Sequence, residues 1–326
     1  MKRCRYWLRV AVLCLTALPA ARAAPAQAGN YPDKPVTVIS DAAPGSTPDV
    51  DARFVAEGLA KSWGQQVIVI NHQGANGSIA ARVASEAVPD GYTLFMPALS
   101  TFVALRSVAP NLPLRLPRDF IPIGYTAGNP MFIAVTPGLG VGTLPQLIAL
   151  ANKQPGTISI AVTGVGRMTH LTGLLLQDRA GIQLLPVPYN GGPAAALADV
   201  GSGRVSMIIE GYSGIVGAVK AGQVKLIAVA APERLPEFPD LPAVAETLPG
   251  FAATGWQVLV APLGTPAPIV NKISVDLAKA MADPDLQKRL ANIGSYARAM
   301  TPEQTLAFVD KEQQTWLPLL EKIPEK

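Results

Sequence analysis

The sequence predicts an α/β fold with mostly parallel sheets. Two observations carry that expectation. Short apolar, β-branched runs recur along the chain, and segments of helical periodicity separate most of them. The runs do not alternate polar with apolar residues, which is the pattern of strands buried on both faces. Strand–helix alternation of this kind marks parallel sheets covered by helices. With 326 residues, 49% apolar and 15% charged, the chain has ample core for two domains or one large one.

Taken in order, the strand runs are 36–39, 67–70, 92–96, 132–135, 158–162, 184–188, 205–209, 224–229 and 257–260. The first helix is expected over 49–62, where Val50, Phe54, Val55 and Leu59 share one side and Gly64 stands just past the end. Helices follow at 78–87, 143–153, 169–179, 193–202 and 212–221. A helical tail fills 266–320, interrupted near Asp283-Pro284 and at Gly294. No internal repeat or low-complexity stretch is visible.

Residues 1–23 read as a secretory leader. Lys2, Arg3, Arg5 and Arg9 form a basic start, Val10 to Leu18 is apolar, and Ala21-Arg22-Ala23 fits a small-x-small cleavage site. Ala26-Gln27-Ala28 offers a second cut. Cys14 invites a lipid anchor, but Leu13 stands where a small residue is wanted. The whole chain has 27 Lys and Arg against 23 Asp and Glu, a formal +4. Five of those basic residues (Lys2, Arg3, Arg5, Arg9 and Arg22) and no acidic one fall in the leader, leaving 22 against 23 and a net charge of −1. The basic balance therefore belongs to the leader, and a nucleic-acid partner is not expected. Both cysteines, Cys4 and Cys14, also lie there, so the mature chain has neither a disulfide nor a cysteine nucleophile. The expected product is a periplasmic protein without a second membrane span.

Ligands of open α/β sheets sit beyond the carboxyl ends of strands, near helix starts. Three strand-to-helix loops stand out there: Asp41-Ala-Ala-Pro-Gly-Ser-Thr-Pro-Asp49, Asn71-His-Gln-Gly-Ala-Asn-Gly-Ser78 and Thr163-Gly-Val-Gly-Arg-Met-Thr-His170. Each is rich in Gly or hydroxyl residues and opens a helix, which points backbone N–H groups at an anion. The same glycines also serve ordinary tight turns, so each loop taken alone reads equally as structure.

At these loops the sequence resembles the extracytoplasmic solute receptors of the tripartite tricarboxylate transporter system, the Bug family. The likeness runs from Tyr31 to Leu320. Tyr31-Pro-Asp-Lys-Pro-Val36 is similar to the family's opening strand, and Pro44-Gly-Ser-Thr-Pro-Asp49 with Ala52-Arg53 to its first loop. Asn71-x-x-Gly-Ala-x-Gly77, Asp90-Gly-Tyr-Thr-Leu94, Gly164-x-Gly166 with His170-Leu171, Val187-Pro-Tyr-Asn-Gly-Gly192 and Ala261-Pro-Leu-Gly-Thr-Pro266 follow in the family's order. The resemblance implies a two-lobed periplasmic-binding-protein fold of the type II kind, with the ligand cleft between lobes. It implies lobe 1 at 29–128 plus 229–326 and lobe 2 at 129–228, and no cofactor or metal. It further implies a monomer that captures a small organic carboxylate, mostly through backbone amides and ordered waters, and hands it to a membrane permease of the tripartite tricarboxylate type. A periplasmic sensor feeding a two-component kinase is the alternative on the same fold.

The chain departs from the family pattern at three places. Ala42 stands at the position usually aromatic, Ser46 replaces a Gly, and Arg167 replaces a small residue. Arg167 is a candidate partner for a second carboxylate and Asp41 for an amine, with solvated rim positions as the alternative for both. The candidate ligand contacts are Ala43, Gly45, Ser46, Thr47, Asp49, Gly74, Ala75, Asn76 and Gly77 on one side. On the other they are Thr163, Gly164, Gly166, Arg167, His170, Tyr189 and Asn190. Several have plain structural alternatives: Ser46 and Thr47 as helix caps, Asp49 as the residue that orders its loop, His170 as a hydrogen-bonder, Tyr189 as a packing ring. An enzyme is not expected. Gly211-Tyr-Ser213-Gly214 breaks the spacing of a nucleophile elbow, and the metalloprotease and P-loop motifs are absent.

Overall fold

The structure, a computed structural model, describes residues 30–108, 115–189 and 191–320. The expected leader at 1–23 and Asn190 lie outside the described residues.

Eleven strands form two sheets among these residues. The first sheet opens on β1 (Val36–Ser40), which pairs in parallel with β2 (Val67–Asn71) on one side and β3 (Thr93–Met96) on the other. Next to β3 come β10 (Thr254–Pro262), β4 (Phe120–Pro130) and the short β11 (Tyr296–Ala297), all antiparallel. The second sheet repeats the plan. Its β6 (Ser159–Val162) pairs in parallel with β7 (Leu185–Pro188) and β8 (Met207–Glu210), followed by antiparallel β5 (Phe132–Val135) and β9 (Lys225–Val229). Parallel pairing is thus found where β–α–β crossovers connect neighbours. Strands that leave or enter a sheet from the other lobe run antiparallel, so both sheets are mixed.

The helices fall close to their expected places, except α3, where no helix is expected from the sequence. In lobe 1 they are α1 (Thr47–Trp63), α2 (Ser78–Ser85), α3 (Leu99–Val108), α8 (Ala267–Met281), α9 (Pro284–Ala291) and α10 (Pro302–Leu320). In lobe 2 they are α4 (Leu144–Lys153), α5 (Met168–Ala180), α6 (Pro193–Gly201) and α7 (Tyr212–Lys220). Gly64 ends α1 in the left-handed conformation, with its N–H on the Ala60 carbonyl at 2.9 Å. Val38 and Leu94 of the first sheet pack against Val55 and Leu59 of α1 and Ile273 and Leu277 of α8. In lobe 2, Ile208 packs with Ala196, Val200 and Ile215 on one face, while Leu147 and Leu171 cover the other. The edge strand β2 departs from full burial. Ile68 and Ile70 are exposed on its outer face.

The two sheets are linked through backbone. β4 passes into β5 at Met131, and the chain returns through Ala230 and Ala253. The Met131 N–H donates to the Ala253 carbonyl (3.0 Å), that of Ala230 to Met131 (2.7 Å) and that of Ala253 to Ala230 (2.9 Å). Val309 and Trp316 of α10 extend one apolar cluster from lobe 1 into lobe 2. Among the described residues no helix is long and apolar enough to cross a membrane, and no His, Cys, Asp and Glu group is placed to hold a metal.

Candidate functional site

A cavity of about 270 Å³ lies between the lobes. Its walls are the loops that leave the carboxyl ends of β1, β2 and β3 in lobe 1 and of β6, β7 and β8 in lobe 2. Asn129, Met131, Gly255 and Trp256 of the linking strands form the floor. The parallel halves of both sheets therefore aim their loops at one space, as open α/β sheets do.

The helix starts around this space share a property. α1, α5, α6 and α7 begin without a side-chain cap, and so does α2. Of the helices that begin elsewhere, α4 and α9 are capped, with Thr143 accepting the Gln146 N–H and Asp283 accepting two N–H groups, whereas α8 starts after Pro266 without a cap. The Ser46 hydroxyl, placed to cap α1, instead donates to the Ala43 carbonyl at 2.7 Å. Uncapped helix starts present N–H groups and the positive end of the helix dipole to whatever occupies the space. The loop after β2 adds strain. Ala75 and Asn76 have φ of +44° and +55° between Gly74 and Gly77 at +115° and +94°. Asn tolerates this region but Ala does not readily, a cost typical of loops that hold ligands.

Nine of the candidate contacts line the cavity: Ala43, Ser46, Thr47, Gly74, Ala75, Asn76, Thr163, Gly164 and Arg167. Gly45, Asp49, Gly77 and Gly166 lie behind it in the same loops. Asp49 is the keystone of its loop. It accepts the Gly45 N–H at 2.9 Å, two N–H groups of Arg53 at 3.0 and 3.1 Å, and the Asn71 amide at 2.8 Å. Burial works to raise its pKa, but the Arg53 pair and these donors outweigh burial and hold it below the usual carboxylate range. Gly77 is demanded by space, because a Cβ there would collide with Thr101.

Two candidates face elsewhere. His170 accepts the Gly166 N–H on Nδ1 at 3.1 Å and borders a shallow pocket on lobe 2 with Ile160 and Leu174. Burial lowers its pKa, which keeps the ring neutral. The Tyr189 hydroxyl donates to Asp199 at 2.5 Å, beside α6 and away from the cavity lining. A side chain's direction at a strand end is set by the pleat and neighbouring helix, which a local Tyr-Asn-Gly-Gly pattern does not reveal.

In the structure Arg167 and Asp41 meet each other. One Arg167 Nη donates to the Asp41 carbonyl at 2.9 Å, and the other lies 3.6 Å from its carboxylate. Asp41 is fully buried and also takes the Thr101 hydroxyl and the Ala98 N–H. This pair joins the lobes. A second interlobe contact is polar too: the Ser213 hydroxyl donates to Thr47 Oγ1 at 2.8 Å, and the Gly214 N–H approaches the same oxygen at 3.3 Å. Gly211 permits it, since a Cβ there would overlap the Thr47 side chain.

The residue that sequence reasoning missed is Glu210. It ends β8 at the cavity wall, is 4% exposed, and accepts the Gly211 N–H and the Thr163 hydroxyl, both at 3.0 Å. Burial pushes its pKa up to about 7, against those two donors and the field of Arg167. The signal was the same strand–Gly–helix order as in the other loops, at Glu210-Gly211-Tyr212.

This geometry has clear parallels among known proteins. The family described as Tripartite tricarboxylate transporter family receptor matches residues 51–324. The chain belongs to this family. Protein BugT of Bordetella pertussis is 31% identical over 310 residues, covering 94% of each chain. Among solved structures, Rpa4515 of R. palustris with adipate superposes with a TM-score of 0.84 at 28% identity, over 89% of this chain and 97% of that one. MatC of Rhodopseudomonas palustris with bound malate gives 0.79 at 30% identity, over 89% and 100%. The receptor-family fold, two α/β lobes about a cleft, is therefore that of this chain.

Proposed function

We propose that this protein is a periplasmic solute receptor that captures a small organic carboxylate between its lobes and delivers it to a membrane permease of the tripartite tricarboxylate type. The observation that carries the reading is the convergence of uncapped helix starts on one interlobe cavity, which suits a carboxylate without a dedicated cation. Adipate and malate in two structural neighbours support it. Ser46, Thr47 and the 74–76 loop bind from lobe 1, and Thr163 and Gly164 face them from lobe 2. The lobes comprise 29–128 plus 229–326 and 129–228. Closure turns about the Met131, Ala230 and Ala253 links, and the Arg167–Asp41 and Ser213–Thr47 contacts mark the closed form. The receptor works as a monomer after its leader is removed.

Thermal melts against a library of mono-, di- and tricarboxylates test this. A ligand that binds only the folded form at a hundred times its Kd stabilises by about 2.7 kcal/mol, a shift of several degrees. No shift with any carboxylate rejects the reading.

A further inference from the structure

The cavity is lined by three charged residues, Asp41, Arg167 and Glu210. Two are acids and one is a base. The base is already engaged, with one Arg167 Nη on the Asp41 carbonyl and the other facing its carboxylate. Glu210 is different. Its two oxygens accept one N–H and one hydroxyl, both neutral, and it has no ion pair among the described residues. A carboxylate accepts about four hydrogen bonds, so Glu210 retains room for donors from the cavity. Buried carboxylates without a cation are costly. A second ligand carboxylate beside Glu210 would add an anion where negative charge already exceeds positive.

Resting on the carboxylate reading above, we infer that the ligand is a zwitterion, with its carboxylate at the lobe 1 loops and an ammonium group against Glu210 of lobe 2. Glu210 is then the residue that selects amino-carboxylates over dicarboxylates. The groups packed around it are the Thr163 and Thr169 hydroxyls and Arg167 at the start of α5, Pro193 of α6, and Gly211 and Gly214 of α7. Arg167 is the charged one, and Asp41 stands behind it. Burial pushes Glu210 up to about 7, so an ammonium group competes with a proton for it. Affinity for an amino-carboxylate should fall as the pH drops below about 7, by up to about tenfold per unit.

The test is calorimetric titration of the full mature protein with matched triples of equal chain length: adipate, aminocaproate and caproate; succinate, γ-aminobutyrate and butyrate; oxalate, glycine and acetate. In at least one triple the amino member should bind about tenfold or more tightly than both others. Glu210→Gln, with its fold checked by melting, should abolish that preference. Lowering the pH from about 8 to about 6 should weaken the amino member in the wild type and not in the variant. A dicarboxylate that binds the wild type as tightly as its amino partner in every triple overturns the inference while leaving the carboxylate reading intact. So does a ranking unchanged by Glu210→Gln. No binding by any member overturns both.

Discussion

Asp49 and Glu210 are carboxylates at comparable places in the two lobes. Asp49 lies in the first turn of α1 and Glu210 ends β8 just before α7, and each is nearly inaccessible, at 3% and 4% exposure. Their chemistry differs because their partners differ. Asp49 has a guanidinium and two further donors, the Gly45 N–H and the Asn71 amide, and its pKa falls. Glu210 has two neutral donors, and burial carries it up to about 7. Burial alone therefore does not decide whether a carboxyl is structural or available. The donor set does. Asp49, held by a guanidinium and two amides, orders its loop, while Glu210, without a cation, keeps room for a donor from the cavity.

The sharpest way to break this contrast is Asp49→Ala. The Gly45 N–H and the Asn71 amide would lose their acceptor inside the loop, for an expected loss of about 3 kcal/mol. Urea unfolding checks it, and a loss below about 1 kcal/mol would show that the loop holds without its keystone. Arg53 is half exposed, so its share of that figure is small.

Glu210→Gln should move stability the other way. The folded pKa of Glu210 lies above its ordinary 4.5, so the acid form is the one that folding favours. Its contribution is full below about 4.5 and is lost as the pH rises through about 7. The variant should therefore be more stable than wild type by about 2 kcal/mol near pH 8, with the gap closing towards pH 5. Paired melts across that range measure it. A gap independent of pH would remove titration as the cause.

Asp49→Asn probes the opposite sign. A lowered pKa gives stability that is full above the ordinary 3.8 and is lost as the pH falls through the folded value. The variant should lose the part of the acid-unfolding limb between those points, while its behaviour near pH 8 changes less. Acid titrations followed by circular dichroism read this directly. The smallest effect belongs to Tyr189→Phe. Its hydroxyl is bound to Asp199 outside the cavity, so ligand affinity should stay within twofold and stability within about 1 kcal/mol. A large loss of affinity would bring Tyr189 back to the ligand.

Much of the fold is legible in the sequence because periodicity and punctuation are local. The buried runs at β1, β5 and β9 and the Gly64 stop of α1 are read directly. β4 is not, because Pro122, Gly124 and Gly128 interrupt its apolar pattern while antiparallel pairing with β10 and β11 holds it extended. β11, with two residues, has no pattern to read. The site divides the same way. Loops after β1, β2 and β6 are visible because glycine and hydroxyl residues cluster there. Glu210 is invisible as a buried group. A lone acid at a strand end reads as solvated until Thr163, Pro193 and Gly214 close around it, and those contacts are tertiary.

The three links between the lobes have an evolutionary consequence. Met131, Ala230 and Ala253 each donate through main-chain N–H, so the hydrogen bonds of the joint do not come from side chains. Proline would break the link because it lacks the donor, and burial of Ala230 and Ala253 admits only small side chains there. Drift in the cleft loops can therefore change what the cleft accepts while the main-chain bonds of the pivot stay in place.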